Sequence, residues 1–416
     1  MGIINNMPSK SGGVESGDVV LFNTSGDREG YLLCNGSAVL ASSYPQFKDK
    51  LIEGIQYQEG TVTSSLDRYV ITALGYASND EWLIIGGETA SSSYTSEGAF
   101  VFNKSTGECK LFNRLAGLSY TQSTDILFPF YVGGKFYIGS MSGSYYEYDP
   151  VTNTGTQKTG TGYPGYITTS YYGFSFGSGR IDGSDYAYVQ YYTGGKFEFY
   201  HTLDGLTWYS GTALETSTTS MGKIVFDSKN EKMFYTKSGK IYSYSVVGPT
   251  ITEIAEITGT LIGCYDGMLV VLDATATQLI KVYDAITYEE ICSFYQPRET
   301  DSSSGVPENA LVGGYVISAT AWNGDYVYLV PIYKARQYKG ISNIKNYATI
   351  TTDMTDYNGL LNLPNDLNYI IWRDSCSSSS YANTGFNILD SSLLLDTYVL
   401  PNINPSDGPY YGYIKT

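Results

Sequence analysis

His201 is the only histidine in a chain of 416 residues, and this scarcity narrows the chemistry the sequence can hold. A Ser-His-Asp triad needs a positioned imidazole as its base, and zinc sites usually draw on several His or Cys ligands. The five cysteines, Cys34, Cys109, Cys264, Cys292 and Cys376, are widely spaced and form no Cys-x-x-Cys pair. They predict small buried hydrophobes made in a reducing compartment, so no metal and no cofactor is expected. Carboxylates remain as candidate catalysts, because glycoside hydrolysis needs two of them about 5 to 10 Å apart. Acidic residues are plentiful, but the seven arginines that could clamp an anionic substrate (Arg28, Arg68, Arg114, Arg180, Arg298, Arg336 and Arg373) are scattered. No catalytic residue is assigned, and the chain is expected not to be an enzyme.

The elements that would position any such group are strands. The chain has 42 Tyr and 46 Gly against 16% charged residues, a balance that favours strands and tight turns over helices. We therefore expect an all-β fold. The net charge of −16 excludes a phosphate-neutralising surface, so no nucleic acid is expected as a partner. No run approaches the roughly 18 apolar residues of a spanning helix, and the opening MGIINNMPSKSGG lacks the charged-then-apolar pattern of a secretion signal. The expectation is a protein with no membrane insertion.

From about residue 70 to 335, short β-rich runs alternate with Gly-containing turns, the pattern of consecutive antiparallel hairpins. Phe102-Asn103-x-x-Thr106, Tyr148-Asp149-x-x-Thr152 and Tyr283-Asp284-x-x-Thr287 share one register, their starts lying 46 and 135 residues apart. A period of about 45 is that of a four-stranded propeller blade. At each site the Asn or Asp side chain can bond backbone two residues on, which predicts the turn between a blade's outer strands. Five or six blades are expected, six if residues 61 to 75 help to close the ring. The blades loosely resemble kelch repeats, without the full double-glycine and Trp pattern. Thr202-Leu-Asp204-Gly205-Leu-Thr207-Trp208 resembles the Asp-box of sialidase-type propellers, in which the Asp caps a hairpin turn and the Trp packs beneath it. Such boxes lie away from catalytic centres, so the resemblance implies a structural role.

The two ends carry a second resemblance. Gly30, Tyr31, Leu32, Leu33, Cys34, Asn35 and Gly36, followed by a Ser-rich turn and Tyr44, Phe47, Leu51 and Ile52 at the spacing of a helix face, resemble the opening of the phage tail-collar domain family. Asn35-Gly36 has the chemistry of a tight hairpin turn. Tyr398-Val399-Leu400-Pro401-Asn402-Ile403 and the final Tyr411-Gly412-Tyr413-Ile414-Lys415 are similar to that family's later segments, in family order. The resemblance covers about 55 to 60 residues. It implies a small collar-type β-rich domain formed by residues 1–60 and 393–416, with a β-propeller over 61–392 as an insertion. Residues 336 to 392 are read as either the final blade or an exposed arm. The family's paired metal-binding histidines do not carry over, because only His201 is present.

The resemblance further implies a virion protein of a tailed bacteriophage, synthesised in the host bacterial cytoplasm, homo-trimeric, and bound to other virion proteins. Three functions remain open at this point. The propeller could attach the virion to a host cell-surface glycan, as a tail-fibre or receptor-binding protein; it could dock virion proteins in a head fibre, collar or tail knob; or it could be a glycosidase acting on host polysaccharide. The tyrosines favour the first, since Tyr offers a flat apolar face and a hydroxyl at low entropic cost. In Tyr145-Tyr146, Tyr171-Tyr172 and Tyr191-Tyr192, strand alternation predicts that one Tyr of each pair points outward.

Overall fold

A computed structural model of the chain describes residues 15–22, 27–58, 63–65, 70–89, 99–111, 127–140, 143, 145–163, 175–193, 196–210, 221–245, 250–273, 279–296, 308–319, 326–339, 348–351, 369–373, 386–401, 403 and 411–416. The regular structure is β, with short 3-10 turns. In chain order it opens with β1 (Val19–Phe22), β2 (Tyr31–Leu33), β3 (Ala38–Leu40) and β4 (Ile52–Tyr57). Then come β5 (Thr63–Ser65), β6 (Val70–Ser78), β7 (Trp82–Thr89), β8 (Ala99–Asn103) and β9 (Cys109–Leu111). They are followed by β10 (Leu127–Val132), β11 (Lys135–Ser140), β12 (Tyr145–Asp149), β13 (Thr154–Lys158), β14 (Ser175–Ile181), β15 (Ser184–Thr193), β16 (Lys196–Thr202) and β17 (Trp208–Ser210). Next are β18 (Met221–Asp227), β19 (Lys232–Lys237), β20 (Lys240–Ser245), β21 (Thr250–Tyr265), β22 (Met268–Asp273), β23 (Leu279–Asp284) and β24 (Glu290–Tyr295). The chain finishes with β25 (Glu308–Val312), β26 (Tyr315–Ala319), β27 (Tyr326–Pro331), β28 (Ala348–Thr351), β29 (Tyr369–Arg373), β30 (Phe386–Asp390), β31 (Leu394–Val399) and β32 (Tyr411–Lys415).

These strands fall into two compact units, one comprising Met1–Glu59, Asn346–Thr349 and Ser392–Thr416, the other Gly60–Lys345 and Ile350–Ser391. The larger is a β-propeller. Blades 1, 2, 3 and 6 are four-stranded antiparallel meanders, β6 to β9, β10 to β13, β14 to β17 and β25 to β28. Blades 4 and 5 share one seven-stranded sheet, because β21 runs without a loop from the outer position of blade 4 into the inner position of blade 5. Gly259 marks the passage: its φ of +139° and a built Cβ pressing on the Leu272 carbonyl exclude any side chain. Blade 7 takes β29 and β30 from late in the chain and β5 from early in it. The ring therefore counts seven blades among the described residues, beyond the five or six expected. The periodic motif cannot register a blade whose strands come from both ends of the insertion, although Thr63–Ser65 does lie in the segment expected to close the ring.

Each blade buries both of its faces, since neighbouring blades cover it on either side. Leu83, Ile84 and Ile85 in β7 and Leu269, Val270 and Val271 in β22 are accordingly all buried, where a sheet with one wet face would show alternation. The same geometry overturns the Tyr expectation. Tyr145 and Tyr146 are consecutive in β12 and both buried, at 1% and 4% exposure. Tyr191 is buried as well; Tyr171-Tyr172 and the side chain of Tyr192 lie outside the described residues.

In the smaller unit both chain ends share sheets. β32 lies between β1 and β2, with Val19 opposite Ile414 and Leu33 opposite Tyr413. β31 lies between β3 and β4. The chain leaves this unit after Tyr57 and returns at Leu394, and these two residues are register partners. Cys34, Phe47, Tyr398, Leu400 and Ile414 form its core, with Leu32, Val39, Tyr44, Leu51 and Ile403 packed against it. The helix expected after Tyr44 is instead two 3-10 turns, Ala41–Ser43 and Pro45–Phe47, halted by the left-handed Asp49 at φ +63°. Phe47 is fully buried, whereas Ile52 begins β4 and is 45% exposed. Asn35-Gly36 also differs from a hairpin turn. It joins β2 to β3, which belong to different sheets; the Asn35 Oδ1 accepts the Ser37 N–H at 3.0 Å, and the Gly36 N–H donates to the Pro401 carbonyl at 3.2 Å.

Candidate functional site

One end of the propeller carries the turns joining first to second and third to fourth strands, and the sequence motifs converge there. In blade 1 the Asn103 Oδ1 accepts the N–H groups of Ser105 (3.0 Å) and Thr106 (2.9 Å). In blade 2 the Asp149 Oδ1 accepts the Val151 N–H at 2.9 Å, and its Oδ2 the Thr152 hydroxyl at 2.8 Å. In blade 5 the Asp284 Oδ1 accepts the N–H groups of Ile286 (2.9 Å) and Thr287 (3.0 Å). The Asp-box fills the equivalent turn of blade 3: the Asp204 Oδ1 accepts the N–H groups of Leu206 (2.8 Å) and Thr207 (2.7 Å), and its Oδ2 the Thr207 hydroxyl at 3.1 Å. Gly205, at φ +76°, packs against the Tyr137 ring, and Trp208, 4% exposed, meets Phe130 and Tyr163 edge-on at centroid distances of 5.3 and 5.4 Å. Four turns thus use one device, an acceptor side chain replacing the missing ladder partner of a backbone donor.

The bonds set the protonation of these carboxylates. For Asp204 and Asp284 burial alone would raise the pKa, but the backbone donors of the turn outweigh it and hold both below the ordinary carboxylate value. For Asp149 the Thr152 hydroxyl leads the same downward shift. An acid so stabilised is a poor proton donor, because catalytic acids need their pKa raised.

Other charges at this end tie blade to blade. The Gly133 N–H donates to the Asp185 Oδ2 (2.9 Å) between blades 2 and 3. The Gly183 N–H donates to the Glu231 Oε2 (2.6 Å) between blades 3 and 4, where the Arg180 Nε lies 3.6 Å from Glu231 and 3.8 Å from Asp185. Lys229 Nζ meets Asp266 at 2.8 Å between blades 4 and 5, and Arg336 Nη1, on the turn after β27, meets Asp284 at 3.0 Å between blades 6 and 5. Sequence reasoning missed this belt, whose blade-to-blade partners lie 37 to 52 residues apart. Three of its anchor points had a local signal: the left-handed pairs Gly133-Gly134, Asp182-Gly183 and Asp266-Gly267, each at the first turn of a blade and each with the composition of a type I′ hairpin.

His201 stands apart from these carboxylates. It is sandwiched between Tyr186 (5.2 Å, 11° between planes) and Tyr209 (5.4 Å, 29°), and burial lowers its pKa. Cys34, Cys264 and Cys292 are buried free thiols, Cys109 is half-buried, and burial pushes Cys34 up to about 11 and Cys292 up to about 12; Cys376 lies outside the described residues. Among the described residues no group of three or more His, Cys, Asp or Glu side chains is placed to hold a metal ion, and no helix is long and apolar enough to cross a membrane.

The collar-like residues gather in the smaller unit. Cys34, Tyr398 and Leu400 lie in its core. Gly30 turns at φ +75° beside Lys415, whose ammonium lies 4.7 Å from the Tyr31 ring centroid. Leu33 is 38% exposed, Pro401 accepts from Gly36, and Asn402 lies outside the described residues.

No protein-family model matches the chain, and no curated protein matches it. Among solved structures it is similar to virginiamycin B lyase from Staphylococcus aureus, at 10% identity over 80% of this chain and 99% of that one, with a TM-score of 0.47. It is similar also to BamB from Moraxella catarrhalis (13% identity, 77% of this chain and 85% of that one, TM-score 0.39). A third similarity is to PorZ of Porphyromonas gingivalis (12% identity, TM-score 0.45), covering 82% of this chain and 40% of that one.

Proposed function

We propose that the chain is a bacteriophage virion protein, a homo-trimeric tail-fibre or collar component whose propeller is a non-catalytic attachment module. The observation that carries this reading is the insertion itself. The collar-like segments from both chain ends pack into one core around Cys34, Phe47, Tyr398, Leu400 and Ile414, and the propeller leaves that unit through the paired strands β4 and β31. Such a graft adds a large module to a small domain and leaves that domain's own strands paired. The partners are other virion proteins and a host cell-surface glycan.

The turn carboxylates support the non-catalytic part, because Asp149, Asp204 and Asp284 are spent on backbone and hydroxyl donors. The test is competition for adsorption: the purified chain, added to intact host cells, is expected to bind them and to slow attachment of the phage. Binding to purified virion proteins without binding to cells would replace attachment by a docking role. Release of reducing sugar from purified envelope glycan would overturn the non-catalytic reading.

A further inference from the structure

Backbone hydrogen bonds tie the segment after β2 to the far end of the chain. The Cys34 N–H donates to the Gly412 carbonyl (2.8 Å), the Gly36 N–H to the Pro401 carbonyl (3.2 Å), the Leu400 N–H to the Ser37 carbonyl (2.9 Å) and the Ile403 N–H to the Cys34 carbonyl (3.0 Å). In the middle of these four lies Asn35-Gly36, and both residues are exposed. Asparagine is chemically labile, most of all before glycine, which has no side chain to shield its own nitrogen. Asn35 is also activated: its Oδ1 accepts the Ser37 N–H at 3.0 Å, which draws electrons from Cγ.

Loss of the side-chain amide starts at the Gly36 nitrogen. It gives its proton to hydroxide and attacks the Asn35 Cγ, the Cγ–Nδ2 bond breaks, and ammonia leaves with a proton taken from water. The five-membered imide then adds water at either carbonyl, giving aspartate or isoaspartate at position 35. In the folded chain that nitrogen is occupied. To turn onto Cγ it must break its bond to Pro401 and pull the Ser37 carbonyl away from the Leu400 N–H. At the Asp-box, by comparison, the Gly205 N–H donates to the Thr202 hydroxyl at 2.9 Å, an acceptor only three residues away. The acceptor for Gly36 comes from the opposite end of the chain.

We infer that Asn35 is a site of spontaneous modification by water whose rate is set by the docking of the two chain ends. It is closed while Leu400, Pro401, Ile403 and Gly412 are bound to its segment and opens when they separate. The step runs one way. Isoaspartate carries the main chain through the former side chain and lengthens it by one methylene, so Gly36 and Ser37 can no longer reach Pro401 and Leu400 together. Aspartate keeps the main chain and adds a negative charge to a chain already at −16. A separation of the ends that lasts long enough for the imide to form and open to isoaspartate is thereby made permanent.

The sequence has two other Asn-Gly pairs, Asn323-Gly324 and Asn358-Gly359, which lie outside the described residues and serve as references within the same chain. The test ages the full chain in mildly alkaline buffer and follows all three sites by peptide mass spectrometry, with a synthetic peptide of residues 31–40 as the undocked standard. Asn35 in the chain is expected to react at least about tenfold more slowly than in the peptide. Ile403→Ala thins the packing of Ile403 on the core of the small unit and should raise the Asn35 rate roughly tenfold while Asn323 and Asn358 keep theirs. Leu400→Ala should act more strongly, and low urea on the wild-type chain repeats the test should either variant fail to fold. Amide hydrogens of Leu400 and Ile403 should exchange faster in the aged isoaspartate fraction than in Asn35→Asp. An equal rate in chain and peptide overturns the control by docking, as does an Asn35 rate that Ile403→Ala and urea leave unchanged. A rise at all three sites together assigns the reaction to unfolding of the whole chain and overturns it too. Equal exchange in the isoaspartate fraction and Asn35→Asp overturns the one-way step.

Discussion

The turn end of the propeller and the small unit built from the chain ends satisfy their surfaces in opposite ways. At the propeller turns every described acceptor in the repeated motif is engaged and the lysines and arginines of the belt sit against carboxylates. Its exposed aliphatics lie on three separate turns, Val151 and Ile286 singly and Leu203 with Leu206 on the Asp-box turn, a distribution normal for a solvent-facing surface. The small unit has one modest core and exposed aliphatic side chains on β1, β2, β3 and β4. A closed ring of blades completes itself, whereas a small split domain has too little interior to cover its own strands. The contrast sets the closed interior of the propeller against the small, partly open one of the chain-end unit.

The contrast breaks most directly at the Asp-box. Trp208 is the large side chain beneath that turn, packed on Phe130 and Tyr163. Trp208→Ala is expected to cost about 3–5 kcal/mol by leaving a cavity, read as a fall in the urea midpoint. Asp204→Ala should cost about 1–2 kcal/mol, the value of an acceptor that caps two backbone donors. Gly107→Ala should cost about 1 kcal/mol, since Gly107 sits at φ +72° and a Cβ there would meet the Tyr369 hydroxyl at 3.0 Å. Equal stability of Gly107→Ala and wild type would show that blades 1 and 7 are less tightly joined at this point than their rings imply.

Acid should loosen the same end. The folded pKa values of Asp149, Asp204 and Asp284 are depressed, so the unfolded chain binds protons first as pH falls. Their contribution is complete above the unfolded value near ~3.9 and disappears as pH drops through the lower folded values. Melting temperature followed from pH 6 to pH 2.5 should fall below about pH 4, and the fall should be shallower in Asp204→Asn, which keeps one acceptor and no titration. An identical profile in that variant would remove Asp204 from the explanation.

What could be read in the sequence was whatever depends on near neighbours in the chain. An Asx turn is decided by a side chain and the two or three N–H groups after it, so Asn103, Asp149, Asp204 and Asp284 announced their turns by type and spacing. The exposure of Tyr145 and Tyr146 depends on the blades either side, which strand periodicity cannot register. Blade 7 escaped because its strands enter from residues 63–65 and 369–390, outside any run of the repeat. That the two chain ends, some 340 residues apart, share sheets was expected only from the resemblance of each half's short motif to one family. The sheet of β3, β31 and β4, by contrast, exists only once Ala38, Val399 and Ile52 are brought into register.

The smallest effect concerns the blade-to-blade belt. Arg336 is 52 residues from Asp284 in sequence and bonds its Oδ2, while Oδ1 of the same carboxylate holds the turn. Asp284→Asn keeps the turn acceptor and weakens only the ion pair. The Arg336 side chain is 45% exposed, and exposed pairs of this kind contribute at most about 1 kcal/mol, screened further by salt. The variant should therefore lose less than about 1 kcal/mol in low salt and approach wild type in 1 M NaCl. Asp284→Ala, which also frees the N–H groups of Ile286 and Thr287, should stay destabilised at both salt concentrations. If Asp284→Asn proved as damaging as Asp284→Ala, and equally so in high salt, the belt rather than the turn would be the principal work of this residue, and the propeller's rigidity would arise between blades rather than within them.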